Sequence, residues 1–489
     1  MIIVRTERLL AAGAVAAGVV AWLAYLNAGL VLSHYDAKAH LVVARRVIDS
    51  ITPGWQQLGA VWLPLPHLIQ LLPTQIDLFY RTGAFGSLVS IACLGATTFA
   101  TARLVIHMTG SRLGAAVAAA LLVLNPNLLY LHTTPMTEPL LLATTFLSVL
   151  WLYEWAPTNE ERVPRRLGWM LFAAMWTRYE AWAIVAAAIG ATVYASARVG
   201  ASRRTLFRRA KNLIAWPAAA VVIFMINSRI TVGAWFVTGG FFVPDPMYLR
   251  QPLQDIAAIG WGAYQLSTLT TVVIPVVAAL VLLLRVAMRR VDAALLIPLT
   301  LFAAAALPFY AFFEGHPYRV RYMVPVVAAC AICGGAAVGV VQRQAMYILA
   351  GLLVGITLVQ SPPWQQGAAM LVEAQWDRPA SAARRAVTAC LAGAYRGEKI
   401  LASMGSLAHY MQELSHEDIA IADFIHEGNG VIWGLALETG PAPHAGWLLV
   451  EEQAEGGDML AQRIRGDAAF TRGMTRICEG GGVALYKRD

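Results

Sequence analysis

Apolar positions run in long blocks along most of this chain, and polar positions gather in short stretches between them. About 20 apolar residues span a bilayer. Runs near that length predict crossings near 9–32, 79–106, 113–132, 136–155, 167–178, 181–197, 212–232, 265–285, 293–313, 322–341 and 345–360, the fifth being short for a crossing. The pattern changes at "QSPPWQQG" (360–367). Beyond it charges become frequent. Short strand-type runs alternate with helix-like ones, as in "KILAS" (399–403), "SLAHYMQEL" (406–414), "DIAIADF" (418–424), "GWLLVEE" (446–452), "GDMLAQRIRG" (457–466) and "GGVALYK" (481–487). The expected fold is mainly α: a polytopic membrane helical bundle of about 11 spans over 1–360, with a first outer loop at 33–78. A small α/β soluble domain follows over 361–489, long enough to bury one core.

Composition agrees with that class. Of 489 residues, 58% are hydrophobic and only 13% charged, against about 25% charged in soluble domains. The net charge of +8 raises nucleic acid as a partner, but the placement of the charge argues against it. Basic residues cluster between apolar runs, at Arg5/Arg8, Arg162/Arg165/Arg166, Arg198 to Lys211, Arg289/Arg290 and Arg343. This is the positive-inside pattern, with loops facing anionic lipid heads. It puts the N-terminus in the cytoplasm and, with an odd number of crossings, the C-terminal domain on the extracytoplasmic face of an inner or plasma membrane. The first run is too long for a cleaved signal peptide and lacks the small-residue cleavage site, so it reads as a retained span. "CAIC" (330–333) lies inside an apolar run, where its cysteines read as small packing residues. Cys390 and Cys478 both fall in the external domain, either bonded to each other or buried as thiols.

Ionisable residues at the ends of the apolar runs carry the candidate chemistry, because they are expensive there and are kept for pairing or function. Asp36 opens "DAKAHLVVARRVID", an expected amphipathic helix in which Asp36 and His40 share a face at i, i+4. Asp36 is either a helix cap or a functional carboxylate. The Trp- and Pro-rich stretch after it, containing Trp55, Trp62 and His67, suits an interfacial segment, with Trp55 and Trp62 either at the lipid interface or stacked on a sugar. "YLHTTPMTEPLLL" (130–142) offers Thr134 or Thr137 as a cap, with Glu138 either in the first helical turn or facing a substrate. In "WTRYEAW" (176–182), Arg178 and Glu180 either neutralise each other or face the same outer cavity, with Tyr179 between them. "FEGHPYRVRYMVP" (313–325) puts Arg319 and Arg321 before Tyr322 on the expected outer side, against the charge trend, and so asks for an anionic partner.

The layout resembles the GT-C superfamily of integral-membrane glycosyltransferases, which includes protein O-mannosyltransferases and the aminoarabinose transferases. There an acidic residue just after the first span is the signature catalytic residue, and Asp36 in "HYDAKAHL" matches it. "PMTEPL", "TRYEAW" and "HPYRVRYMVP" are similar to further segments of bacterial members. Two departures stand out: Ala37 follows Asp36 where many mannosyltransferases have a second carboxylate, and no Asp-x-Asp occurs. The resemblance implies inverting transfer of a sugar from a polyprenyl-phosphate donor to a hydroxyl on a protein, lipid or glycan. Asp36 is then the general base. Arg319 and Arg321, with Arg178 or Lys38, neutralise the phosphate, and His40, His67, Glu138, Glu180, Tyr179 and Tyr322 complete the substrate-binding set. Because the leaving group is already a phosphate, no metal or other cofactor is required. A His34/Asp36/His40 metal site is the geometric alternative. The competing class is a transporter or flippase, which the clustering of charges at one membrane face disfavours.

Overall fold

The computed structural model describes residues 3–158, 160–237, 242–453 and 457–489. They form two compact units. One comprises Met1–Ala28, Ser87–Ile226 and Pro246–Glu373; the other comprises Gly29–Gly86, Asn227–Asp245 and Ala374–Asp489. The segment following the first apolar helix therefore folds with the C-terminal region, across a sequence separation that a boundary at 360 does not anticipate.

Among the described residues eight helices are long and apolar enough to cross a bilayer: Thr6–Asn27, Ala84–Thr109, Glu180–Arg198, Arg203–Val232, Leu269–Ala287, Ala293–Phe313, Val320–Val340 and Arg343–Gln360. Each matches one of the eleven expected runs. Of the other three runs, one breaks into two helices, one forms a single less apolar helix and one a short helix. The run at 113–132 breaks into helices Arg112–Val123 and Pro126–Leu131, because the Asn125 side chain accepts from the amides of Asn127 and Leu128 and Pro126 follows it. The run at 136–155 is helix Glu138–Trp155, whose Glu138 and Glu154 make it less apolar. The run at 167–178 is the short helix Arg165–Met175. Several helices expose aliphatic side chains, such as Leu280, Val281, Leu283 and Leu284. Apolar surface of this extent belongs in lipid rather than water.

Glycine sets a close backbone contact between two helices of the first unit. A Cβ on Gly335 would stand 2.4 Å from the Gly114 carbonyl oxygen, and one on Gly114 would stand 2.5 Å from that of Gly335. The backbones of Val324–Val340 and Arg112–Val123 thus touch directly, as small residues permit within membranes. Cys330 and Cys333 are buried thiols in the same helix.

The second unit is built on a five-stranded sheet: β1 Ile400–Ala402, β2 Phe424–Ile425, β3 Trp447–Glu451, β4 Met474–Gly480 and β5 Val483–Arg488. Their order is β2-β1-β3-β5-β4; the first three run parallel, while β5 pairs antiparallel with both β3 and β4. Both faces are covered, so β3 is buried at every position, as doubly covered parallel strands are. Ile400, Ala402, Trp447 and Leu449 face one core with Leu407 and Met411; Leu401, Leu448 and Val450 face the other with Trp433 and Phe470. Ala39, Leu41, Val42 and Tyr80 enter the first of these cores. Cys390 and Cys478 are bonded to each other, tying helix Ser381–Ala394 to β4.

Gly335→Val should lower the melting temperature of the detergent-purified chain, since overpacking of this kind costs about 1–3 kcal/mol. Gly351→Val, where nothing lies within 4 Å of the new Cβ, is the control and should melt like the parent.

Candidate functional site

The residues singled out in the sequence fall into two groups, one in each unit. In the second unit, helix Tyr35–Arg45 begins immediately after His34, whose Nδ1 accepts from the Asp36 amide. His34 is therefore the cap, and Asp36 sits in the first turn. The helix is not amphipathic toward solvent: Asp36, Ala37 and Ala39–Ala44 are all buried, Asp36 at 4% exposure. Packing against helix Met404–Leu414 overrides the local pattern.

The ring of Tyr35 meets those of His409 and Trp376 edge-on, at 6.1 and 6.3 Å. Lys38 pairs with Glu413. His409 Nε2 lies 2.9 Å from Arg384 Nη1, so the ring nitrogen accepts and the imidazole is neutral. Burial, then the Arg384 and Lys38 charges, push His409 down to about 3, while Asp36 opposes the shift. Arg384 also pairs with Asp377 and, at 2.9 Å, with Glu451. Burial pushes Glu451 up to about 7 despite that guanidinium. His409, Arg384, Asp377 and Glu451 were not apparent in the sequence. They lie far from Asp36 along the chain, and no local motif marks them.

His40 Nδ1 and His67 Nε2 are 3.0 Å apart. Trp62 packs on both rings, with centroids 4.3 Å from His40 and 5.9 Å from His67. His67 is fully buried; burial, His40 and Arg46 hold it well below its usual range and therefore neutral. Trp55 is 47% exposed and remains compatible with an interfacial position. Among the described residues no group of three His, Cys, Asp or Glu side chains could hold a metal ion, the His34/Asp36/His40 set included.

In the first unit, Arg178 organises the other group. Its Nε and Nη2 reach both oxygens of Glu180 at 2.7 to 3.2 Å, and its Nη1 lies 2.8 Å from Thr137 Oγ1 and 3.0 Å from Glu138. Of the two alternatives for Arg178 and Glu180, mutual neutralisation is what the geometry shows. Both carboxylates are buried to within 2%. Thr137 accepts from Arg178 instead of capping, and Thr134 donates to Leu131, so neither threonine caps the helix. Arg321, also buried, brings Nε to 4.0 Å from Glu138.

Tyr322 donates to His316 Nε2 at 3.1 Å, the other ring nitrogen of His316 being engaged by the Pro317 carbonyl. Arg319 is half-buried, with Nη1 3.3 Å from the Tyr318 carbonyl oxygen. Tyr179 packs edge-on against Trp182 and Phe224. Tyr318 donates to Gln265 Oε1 at 2.7 Å, and Gln265 lines a cavity of about 190 Å³ with Tyr264, Thr268, Gln360, Ser361 and Gln365. Its lining is amide, hydroxyl and aromatic, without charge.

Helix Glu138–Trp155 separates this group from a second set of charges. At about 1.5 Å per residue, Glu138 and Glu154 stand about 24 Å apart. At the far end Glu154 binds Arg103 at 2.5 Å and Arg166 at 3.8 Å. Arg209 donates to the terminal carbonyls of Trp155, Ala156 and Thr158. No protein-family model matches this chain, and no curated protein matches it.

Arg178→Leu should destabilise the detergent-solubilised protein by about 3–5 kcal/mol, because it strands two buried carboxylates. Adding Glu180→Leu should recover part of that loss, read as melting temperature in a double-mutant cycle.

Proposed function

We propose that this protein is a membrane glycosyltransferase of the GT-C type. It moves a sugar from a polyprenyl-phosphate donor to an acceptor hydroxyl on the extracytoplasmic face, with inversion. The observation that carries the reading is Asp36: a carboxylate only 4% exposed, in the first turn of the helix that follows the first apolar span. Ionisable groups are kept in such places for a task. As general base, Asp36 takes the proton of the acceptor hydroxyl while the acceptor oxygen bonds to the anomeric carbon and the carbon–oxygen bond to phosphate breaks. The phosphate departs as an anion, its charge met by Arg319 and Arg321. Arg178 holds Glu138 and Glu180 in place rather than binding substrate itself. The uncharged amides and hydroxyls around Gln265 suit the hydroxyls of a sugar ring. The arginines gathered at the Glu154 end of helix Glu138–Trp155 favour that end as cytoplasmic, and hence the Arg178 end as extracytoplasmic.

Purified protein incubated with a panel of radiolabelled polyprenyl-phosphate sugars tests this. With the sugar that is turned over, Asp36→Asn should cut transfer by about 10²–10⁴-fold and leave donor binding intact. Undiminished transfer by that variant would remove Asp36 from the chemistry. Movement of a lipid-linked sugar across sealed vesicles with no new glycosidic bond would favour a transporter instead.

A further inference from the structure

Two neighbouring arginines of the second unit differ sharply in their surroundings. Arg45 pairs with Asp49 at 2.9 Å and Asp77 at 2.7 Å and stacks over Tyr80. Arg46, which ends the same helix, is 5% exposed and forms no ion pair among the described residues. Its one side-chain hydrogen bond there runs from Nη1 to the Met404 thioether, a weak acceptor, and its Nε is buried without an acceptor. The opposing charge that acts on it is Glu427. That carboxylate is engaged by the Ser403 hydroxyl and, at 2.7 Å, by the Met404 amide. A buried guanidinium without a counter-charge in contact is costly, and burial pulls Arg46 down to about 10.

A second donor lies beside it. His426 is fully buried and its Nδ1 accepts from the Gly428 amide at 3.1 Å. The neutral ring therefore carries its proton on Nε2, which is buried with no acceptor. Burial and then the Arg46 charge push His426 down to about 3, so it stays a neutral donor. Met404 follows β1 by two residues and His426 follows β2 directly. Both therefore stand at the carboxyl ends of adjacent parallel strands, the edge at which such sheets take ligands. The Arg46 Nη2 edge meets Gly59, a half-buried glycine at φ +70°, whose Cβ if present would stand 3.4 Å away.

We propose that Arg46 and His426 bind one phosphate-type oxyanion in the second unit. The guanidinium fork takes two of its oxygens, and the His426 Nε2–H takes a third. This goes beyond sugar transfer and does not depend on it: the phosphate-neutralising residues assigned above, Arg319 and Arg321, belong to the other unit.

The test is thermal melting of the detergent-purified full chain, with inorganic phosphate titrated against sodium chloride at matched ionic strength. Binding to vesicles of phosphatidic acid, against phosphatidylcholine alone, runs in parallel. The parent should show a saturable rise in Tm with phosphate if the anion is soluble. If the anion is a lipid headgroup, it should instead bind selectively to phosphatidic acid. In either case Arg46→Met should melt no lower than the parent without anion, since an apolar side chain replaces an uncompensated charge, and should lose affinity by about tenfold or more. His426→Phe should lose affinity several-fold, and it carries the test should Arg46→Met fail to fold. The proposal is overturned if neither probe binds saturably, or if both variants respond as the parent does.

Discussion

Charge that cannot leave an apolar environment has to be matched there, and Arg178 is where the first unit meets that requirement. One planar guanidinium reaches Glu180 three times, Glu138 once and Thr137 once. These groups come from the start of helix Glu138–Trp155 and from the turn joining helices Arg165–Met175 and Glu180–Arg198. With one partner removed, a carboxylate would be left buried and uncompensated, which is far more costly than never having placed it there. The position of these helix ends relative to each other is thus tied to one residue. A lysine, with a single compact ammonium, could not span the three partners.

The second unit solves a different problem. Helix Tyr35–Arg45 follows an apolar span in sequence, yet almost all of it is buried against an α/β core more than 300 residues further along the chain. That burial brings His409, Arg384 and Glu413 into the neighbourhood of Asp36 and Lys38, and Met404 and His426 into that of Arg46. The sheet contributes its carboxyl edge, where backbone and side chains converge without a strand to fill the space. The Cys390–Cys478 bond ties the helix before β1 to β4. In the chain-entropy account such a link acts mainly by restricting the unfolded chain.

Long apolar helices were legible because bilayer thickness imposes a length and a composition on any one segment. Eight of them emerge where the hydropathy pattern puts them. The other three runs are helical too but depart from that pattern for local reasons that were also in the sequence: Asn125–Pro126 breaks the first, two glutamates make helix Glu138–Trp155 less apolar, and Arg165–Met175 is short. Asp36, Glu138, Arg178 and Arg321 could be picked out because charge at a span's edge is conspicuous. Arg384, His409 and Glu451 could not, because charged residues in a polar region are ordinary until something buries them.

The sequence by itself determined which segments are apolar enough for lipid and which ionisable groups stand at span ends. Each of these depends only on neighbours in the chain. Tertiary structure alone decided that Glu180 faces Arg178 on both oxygens, that Trp62 lies on two histidines, and that Arg46 is buried without a counter-ion while Arg45 has two. A charge's energy depends on what surrounds it in space, and those surroundings come from segments that the linear pattern does not connect.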